Sequence, residues 1–153
     1  MQYWLFKSEP ETFSIDHLIK CPKQTTHWEG VRNFQVRNML RDDMKVGDLA
    51  FFYHSSCDVP GIAGIIKIVK AAYPDDTAWN LESHYYDPKS TPDNPRWVRV
   101  DVQLVEKFKH FIPLSAIRAI PALQDMRLLA RGNRLSITPV SVKEWQTILK
   151  MLA

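Results

Sequence analysis

Alternating hydrophobic and polar positions predict five β-strands in this 153-residue chain. The clearest pattern spans residues 97–107, where valines at every second position alternate with polar residues, as expected for a strand with one buried face. Two longer apolar runs precede it, and a short polar loop separates them. The predicted strands are residues 3–7, 48–54, 61–73, 97–107 and 134–137.

Helical spacing marks other segments between and after the strands. In residues 34–43 the apolar side chains recur at i, i+3 and i+4, and Asn33 is placed to cap the start of that helix. Ser141 and Glu144 have the spacing of a capping box, which predicts a C-terminal helix with one apolar stripe. Shorter helical segments are predicted at residues 14–19, 114–120 and 122–130.

These elements favour a small α+β domain, built as a mixed barrel with peripheral helices. The strands are short and unevenly spaced, and they do not alternate with helices as a doubly wound parallel sheet requires. Residues 87–95 hold three prolines, which predict a stiff surface loop inside one domain rather than a boundary between two. We therefore expect a single domain over residues 1–153.

The charge of the chain argues against a partner bound mainly through bulk electrostatics. There are 20 Lys and Arg against 17 Asp and Glu, so the net charge is +3. Residues 101–153 hold eight basic and four acidic side chains, which gives this last third an excess of +4. If nucleic acid is the partner, we expect a local contact whose affinity depends only modestly on salt.

The sequence lacks the signatures of several other protein classes. It has two cysteines and no Cys-x-x-Cys pair, and it contains no phosphate loop, zinc-protease helix or nucleophile elbow. It shows no signal peptide and no apolar run of about 20 residues. We therefore expect a cytoplasmic, non-enzymatic protein with no catalytic residue, metal, cofactor or membrane partner.

The segment from Trp28 to the following helix is suited to contact a nucleobase. Trp28 precedes a turn, Asn33 carries an amide, and Arg37 and Arg41 lie on one side of the predicted helix. Proteins use such groups to stack a splayed base, to read its edge and to hold its phosphates. The alternative, that Trp28 packs in the core and the arginines are solvated, fits the sequence equally well.

Other candidate ligand-binding groups stand at the ends of predicted strands. The tripeptide 7–9 places a cation, a hydroxyl and a carboxylate after the first strand, and Tyr53 and His54 end the second. A polar strand exit and a structural histidine are the more common roles of such residues. The basic turn at residues 131–134 can meet a phosphate, although solvated surface charge is the commoner outcome.

Eight sequence blocks, taken together, resemble the EVE domain family, a relative of the PUA, ASCH and YTH folds. They run in family order from about residue 3 to residue 149. One block would be weak support, but eight in order are specific. The blocks are Y-W-L-F-K-S-E-P (3–10), W-E-G-V-R-N-F-Q-V-R-N (28–38), V-G-D-L-A-F-F-Y-H-S (46–55), P-G-I-A-G (60–64), A-Y-P-D (72–75), Y-Y-D-P-K-S (85–90), N-P-R-W (94–97) and R-L-S-I-T-P-V (134–140).

The resemblance implies a PUA-like pseudobarrel of mixed β-strands surrounded by short α-helices, with a pocket for one extruded base. EVE domains are implicated in recognising modified cytosines in DNA, so a reader of a base such as 5-methylcytosine is implied. By position, the implied pocket residues are Lys7, Ser8, Glu9, Trp28, Asn33, Tyr53, His54, Ser55, Leu135 and Ser136. The implied phosphate or rim contacts are Arg32, Arg37 and Arg134.

The expected partner is nucleic acid with a modified base, with DNA favoured over RNA. We also expect a monomer, with a nuclease or other effector protein acting in trans. Two alternatives stay open: a PUA-like domain that recognises a modified tRNA or rRNA site, and a domain that binds a small molecule. Matched DNA and RNA oligonucleotides would separate the first alternative, because only RNA carries the 2′-hydroxyl.

Overall fold

A computed structural model describes residues 1–152 and contains one six-stranded mixed sheet. The strands are β1 (Tyr3–Ser8), β2 (Thr25–Trp28), β3 (Leu49–His54), β4 (Gly61–Pro74), β5 (Val98–Pro113) and β6 (Ile137–Val140). Their order in the sheet is β2-β5-β4-β3-β1-β6. β1 pairs in parallel with β3, and every other recorded pair of these strands is antiparallel.

Short helices cover the sheet. They are α1 (Ile15–Lys20), α2 (Phe34–Asn38), α3 (Leu114–Arg118) and α4 (Val142–Lys150), and a π turn at Met39–Asp43 continues α2. Single 3₁₀ turns occur at Pro22–Gln24, Asp76–Trp79, Pro121–Leu123 and Arg127–Leu129. No helix within residues 1–152 is both long and apolar enough to span a bilayer.

Side-chain caps start three of the helices, and two of these caps, at Asn33 and Ser141, were predicted from the sequence. The Asn33 side chain accepts a hydrogen bond from the Val36 N–H at 3.0 Å and so begins α2. Ser141 and Glu144 form the predicted capping box of α4, with both reciprocal bonds present. A capping box at Ser14 begins α1, where His17 takes the place that Glu usually occupies.

The sheet curls strongly around one of its two cores. Phe6 of β1 and Trp28 of β2 have ring centroids 5.1 Å apart, although β3, β4 and β5 lie between these strands in the sheet. The strands must therefore bend round so that the two rings meet across a shared interior. This geometry confirms an α+β fold and agrees with the implied pseudobarrel of mixed strands.

The two faces of the sheet have separate apolar cores. Phe6, Phe52 and Val102 belong to the inner core, which α1 and α2 cover. Phe51 and Trp145 belong to the outer core beneath α3 and α4, where their rings stack at 3.9 Å. Alternation along β3 sends Phe51 and Phe52 to opposite cores, so this strand is buried on both faces.

The structure differs from the sequence prediction at several element boundaries. β2 was not predicted, because its four residues T-T-H-W are mostly polar and are held by pairing with β5. β5 runs beyond residue 107 to Pro113, and bulges in its pairing with β4 interrupt the alternation that would have revealed this. β6 begins at Ile137 rather than at residue 134, and the predicted helix at 122–130 is two 3₁₀ turns.

Candidate functional site

A cavity of about 620 Å³ opens where the curled sheet brings the end of β1 close to β2. Its volume lies in the range of ordinary small-ligand sites. It is walled by strand ends and by the loops that follow them. The lining residues are Lys7, Ser8, Glu9, Thr12, Phe13, Thr26, His27, Trp28, Glu29, Gly30, Val31, His84, Tyr85 and Ser136.

Trp28 is both a packing residue and a wall of the cavity. Its ring meets Phe6, Phe13 and Phe52 in edge-to-face contacts, with centroids 5.1, 6.4 and 5.7 Å away. The side chain stays partly exposed and lines the open volume. The surrounding rings therefore fix the indole in one orientation while part of it is free to contact a ligand.

The end of β1 supplies polar groups to the same cavity. The Lys7 N–H donates to the Ser136 carbonyl at 2.8 Å, which ties β1 to the segment before β6. The Ser8 hydroxyl donates to the Phe13 carbonyl at 2.6 Å and so shapes the loop that follows β1. Both bonds hold the strand end in place while Glu9 stays exposed.

Among the charged groups of this wall, the Lys7 ammonium most clearly suggests a contact with a ligand. It is partly buried and forms no ion pair or side-chain hydrogen bond with any residue in 1–152. Burial lowers the pKa of Lys7, because desolvation disfavours the charged ammonium. A ligand that offers an oxygen or ring-nitrogen acceptor would give this group the partner it lacks within the chain.

Tyr85 forms a second aromatic wall and is held against the β2–α2 turn. Gly30 lies directly beside the Tyr85 ring, so that a Cβ at residue 30 would fall 2.5 Å from ring carbons. The Arg32 guanidinium donates to the Tyr85 carbonyl at 2.7 and 3.0 Å and packs 5.6 Å from the ring centre. These contacts fix Tyr85 although it belongs to a long loop.

A buried carboxylate, Asp75, anchors this wall. It accepts hydrogen bonds from the Gly30 N–H at 3.0 Å, from Arg32 at 3.1 Å, and from the N–H and hydroxyl of Thr77 at 3.0 and 2.5 Å. Burial by itself would raise the pKa of Asp75, but the bonds from Thr77, Gly30 and Arg32 outweigh it and lower that pKa. Asp75 is therefore a charged anchor for the turn and for Tyr85.

The structure brings five of the predicted pocket residues together. Lys7, Ser8, Glu9, Trp28 and Ser136 line the cavity, although they come from three separate parts of the chain. The strand-end segment and the tryptophan, each ambiguous from the residues alone, therefore share one wall. Whether each contacts a ligand stays a prediction.

Five other predicted pocket residues do not line the cavity. Asn33 caps α2, and the Leu135 side chain packs on the inner core. Tyr53 is buried in the outer core, on the opposite face of the sheet from Trp28. Tyr53 therefore faces away from the cavity, in contrast to its predicted place in the pocket, because strand alternation distinguishes two faces without indicating which one meets a ligand.

His54 and Ser55 support the site from behind instead of lining it. The His54 Nε2 accepts a hydrogen bond from the Ile15 N–H at 3.2 Å at the start of α1. Burial is the main reason that the pKa of His54 is lowered, and the neutral ring can then act as an acceptor. The Ser55 N–H donates to the Ser8 carbonyl at 2.9 Å. Both residues position the loop that carries Phe13.

The three predicted rim arginines differ in their surroundings. Arg32 is bonded inside the protein to Asp75 and Tyr85, so its role is to hold the wall. Arg37 donates to the Asn38 side chain and to the Arg96 carbonyl at 3.1 Å. Arg134 is exposed and has no bonded partner among the residues that the structure describes. Arg134 stands two residues before Ser136, which lines the cavity, and is the one of these three arginines without a bonded partner within residues 1–152.

The sequence patterns did not indicate the cavity residues that loops contribute, above all Tyr85, His84 and Phe13. The block Y-Y-D-P-K-S did mark residues 85–90, but nothing in it shows which wall a loop residue reaches. Within residues 1–152 no group of three or more His, Cys, Asp or Glu side chains is placed to hold a metal ion.

Several known proteins are similar to this chain over almost its whole length. Human thymocyte nuclear protein 1 is 48% identical over an alignment 166 positions long, which covers 97% of this chain and 73% of the human protein. A crystal structure of the human protein in complex with 5-methylcytosine-containing DNA superposes with a TM-score of 0.94 at 47% identity, covering 99% of this chain and 98% of that one. A Pseudomonas syringae protein gives a TM-score of 0.93 at 46% identity, with 99% of both chains covered.

The match to a family is equally extensive. Residues 2–151 match the EVE domain, which confirms the resemblance seen in the eight sequence blocks. The described fold and the relatives agree with that match. The chain belongs to the EVE domain family.

Proposed function

We propose that this chain binds DNA containing 5-methylcytosine and holds the modified base in the Trp28 cavity. The observation that carries the proposal is the cavity itself, where a fixed indole and a second aromatic wall, Tyr85, flank polar strand ends. The human relative with the same fold has been crystallised with DNA of this kind, which supports the choice of ligand.

A base reaches such a cavity only if it leaves the stack or is already single-stranded. Trp28 then offers its exposed face, and stacking on an aromatic side chain is worth about 1–3 kcal/mol per base. The Lys7 ammonium and the polar groups near Ser8 lie where they can meet hydrogen-bonding groups on the edge of the base. The Glu29–Val31 turn also lines the cavity, with its Gly30 N–H and Val31 carbonyl already bonded to Asp75 and Arg32.

Discrimination of the methyl group requires a shaped apolar contact. Burial of one methyl carbon is worth about 0.8 kcal/mol, which corresponds to roughly fourfold in affinity. The aromatic Phe13 and the aliphatic Val31 are the lining residues suited to this contact. A larger preference for methylated over plain cytosine would require that the cavity excludes water from the methyl position, or that packing contacts are lost when the methyl group is absent.

The proposed activity is binding without catalysis, by a monomer that recruits a nuclease or other effector in trans. No relative described above is named for a catalytic activity, which supports a binding role. DNA is preferred here to RNA because the crystallised relative holds DNA. A cytoplasmic location also stays a prediction. The human relative, by contrast, is named as a nuclear protein.

The test is a binding screen with Trp28→Ala. Fluorescence anisotropy would compare matched DNA and RNA oligonucleotides, single- and double-stranded, with plain cytosine, 5-methylcytosine, plain adenine or methylated adenine. We expect the wild type to prefer 5-methylcytosine DNA. We expect Trp28→Ala to weaken binding of the 5-methylcytosine DNA about tenfold or more, because the stacking surface is lost. We also expect the variant to lose the preference over plain cytosine, because the base is no longer held against Phe13 and Val31.

Trp79→Ala is the matched control, since Trp79 is also a partly buried tryptophan but does not line the cavity. Circular dichroism and thermal unfolding would show that each variant is folded, and Trp28→Phe retains an aromatic ring if the alanine variant is unstable. Unchanged discrimination in a folded Trp28→Ala would sink the proposal. A preference for RNA would replace DNA as the ligand.

A further inference from the structure

A second aromatic surface lies outside the cavity, on and beside α2. Phe34 is 51% exposed, and its ring stacks on Trp97 at 4.8 Å with an interplanar angle of 27°. The guanidinium carbons of Arg37 and Arg96 lie 4.7 and 5.8 Å from the centre of the Phe34 ring. We call these four residues the Phe34 platform.

The core does not require this exposed ring. Trp97 is buried and is already anchored, because its Nε1–H donates to the Asp87 carboxylate at 2.7 Å. Phe34 leaves half of its side chain in solvent. A cation–π contact at an exposed site is worth too little to explain why a large apolar residue stands there.

The platform is positively charged. Arg37 has no acidic partner within ion-pair distance among residues 1–152, and the carboxylate of Asp87 approaches Arg96 only at 3.7 Å. Both side chains lie over or beside an aromatic ring. A phosphate could therefore be met by one or both guanidinium groups without breaking a buried ion pair.

The platform adjoins the cavity wall through Arg32. The guanidinium carbon of Arg32 lies 5.6 Å from the Tyr85 ring centre and 5.5 Å from the Trp97 ring centre. Tyr85 lines the cavity, and Trp97 stacks on Phe34. The Tyr85 and Trp97 ring centres are therefore at most about 11 Å apart. A stacked strand advances about 3.4 Å per nucleotide, so about three nucleotides would span this distance.

We propose that the Phe34 platform binds the nucleotides that flank the base held in the cavity. The inference rests on the proposed function and extends it from one base to a stretch of strand. Phe34 stacks with a flanking base, while Arg37 and Arg96 turn from the ring towards the neighbouring phosphates. An exposed aromatic ring beside arginines is a common way to bind single-stranded nucleic acid.

The test uses two nonamers with one central 5-methylcytosine, one with normal flanking bases and one with abasic flanking positions. We expect the wild type to bind the normal nonamer about tenfold more tightly, because stacking on Phe34 is lost with the abasic one. Phe34→Ala should bind both nonamers equally, and Phe34→Tyr should restore the difference. On this single strand, Arg37→Ala and Arg96→Ala should each make the negative slope of log affinity against log salt shallower by about 0.7.

Phe111→Ala is the matched control, because Phe111 is also exposed, at 38%, and lies at the far end of β5. Wild-type behaviour of a folded Phe34→Ala on both nonamers overturns this inference. If Trp28→Ala meanwhile loses selectivity, the proposed function stands and only the platform fails. If Trp28→Ala is also indistinguishable from the wild type, or if neither nonamer binds, both proposals fail.

Discussion

Asp75 combines complete burial with a full charge, which makes it the residue on which the Tyr85 wall depends most. Its side chain has no exposed surface, whereas that of its partner Arg32 is 23% exposed. Removal of the charge would leave the Gly30 N–H and the guanidinium with a weaker acceptor. Loss of one member of a buried pair commonly destabilises a protein by several kcal/mol, and solvent at Arg32 reduces this here.

We predict that Asp75→Asn lowers the free energy of unfolding by about 2–3 kcal/mol at pH 7. Because the native state lowers the pKa of Asp75, its contribution is present above the usual value of 3.8 and is lost as the pH falls through the folded pKa. The gap between wild type and variant should therefore narrow below pH 3.8. Urea unfolding between pH 2 and pH 7 measures it.

The neighbouring Asp76 provides the control for that experiment. Its side chain is 62% exposed and pairs with Arg99 at the surface, so Asp76→Asn should change the free energy of unfolding by less than about 0.5 kcal/mol. A gap for Asp75→Asn that stays constant from pH 7 to pH 2 would contradict the assigned charge of Asp75.

Among the elements, the turn between β2 and α2 imposes the strictest requirement on sequence. Gly30 has a φ of +84°, and its Cα faces the Tyr85 ring. We predict that Gly30→Ala costs about 1–2 kcal/mol for the backbone and a further 1–3 kcal/mol for overpacking. The variant should also bind 5-methylcytosine DNA more weakly, because Tyr85 must move.

Gly132→Ala separates the two causes. Gly132 has a similar φ of +77°, but a Cβ there would meet nothing within 4 Å. Its loss of stability should be limited to the backbone contribution, with DNA binding unchanged. Thermal unfolding and anisotropy on both variants test this, and equal effects at the two glycines would remove Tyr85 from the explanation.

Elements with a local signal were predictable from the sequence, and elements held by distant pairing were not. The Ser141 capping box and the Asn33 cap are defined within four residues, so α4 and the start of α2 could be placed. β2 has no alternation of its own and exists through its pairing with β5. Tyr85 reaches the cavity through contacts with Gly30 and Arg32, which no local pattern encodes.

At the scale of the whole molecule, the small net charge predicts weak dependence of binding on salt. The net charge is +3, and the predicted pocket and rim cations that form no ion pair within residues 1–152 are Lys7, Arg37 and Arg134. With about three or four phosphate contacts, the slope of log affinity against log salt should be about −3 on double-stranded DNA. Affinity measured from 50 to 300 mM salt gives the slope, and a value near −8 would indicate a much larger contact.

The curl of the sheet also determines when the cavity can exist during synthesis. β1 is made first, yet its two neighbours are β3 and β6, and β6 follows almost the whole of the chain. Pairings between such distant segments form slowly, because the entropy of closing a long loop is lost before the stabilising contacts between the strands can form. The antiparallel strands β3, β4 and β5 can associate earlier. A nascent chain on the ribosome therefore carries no finished Trp28 cavity until Ser136 and β6 have emerged.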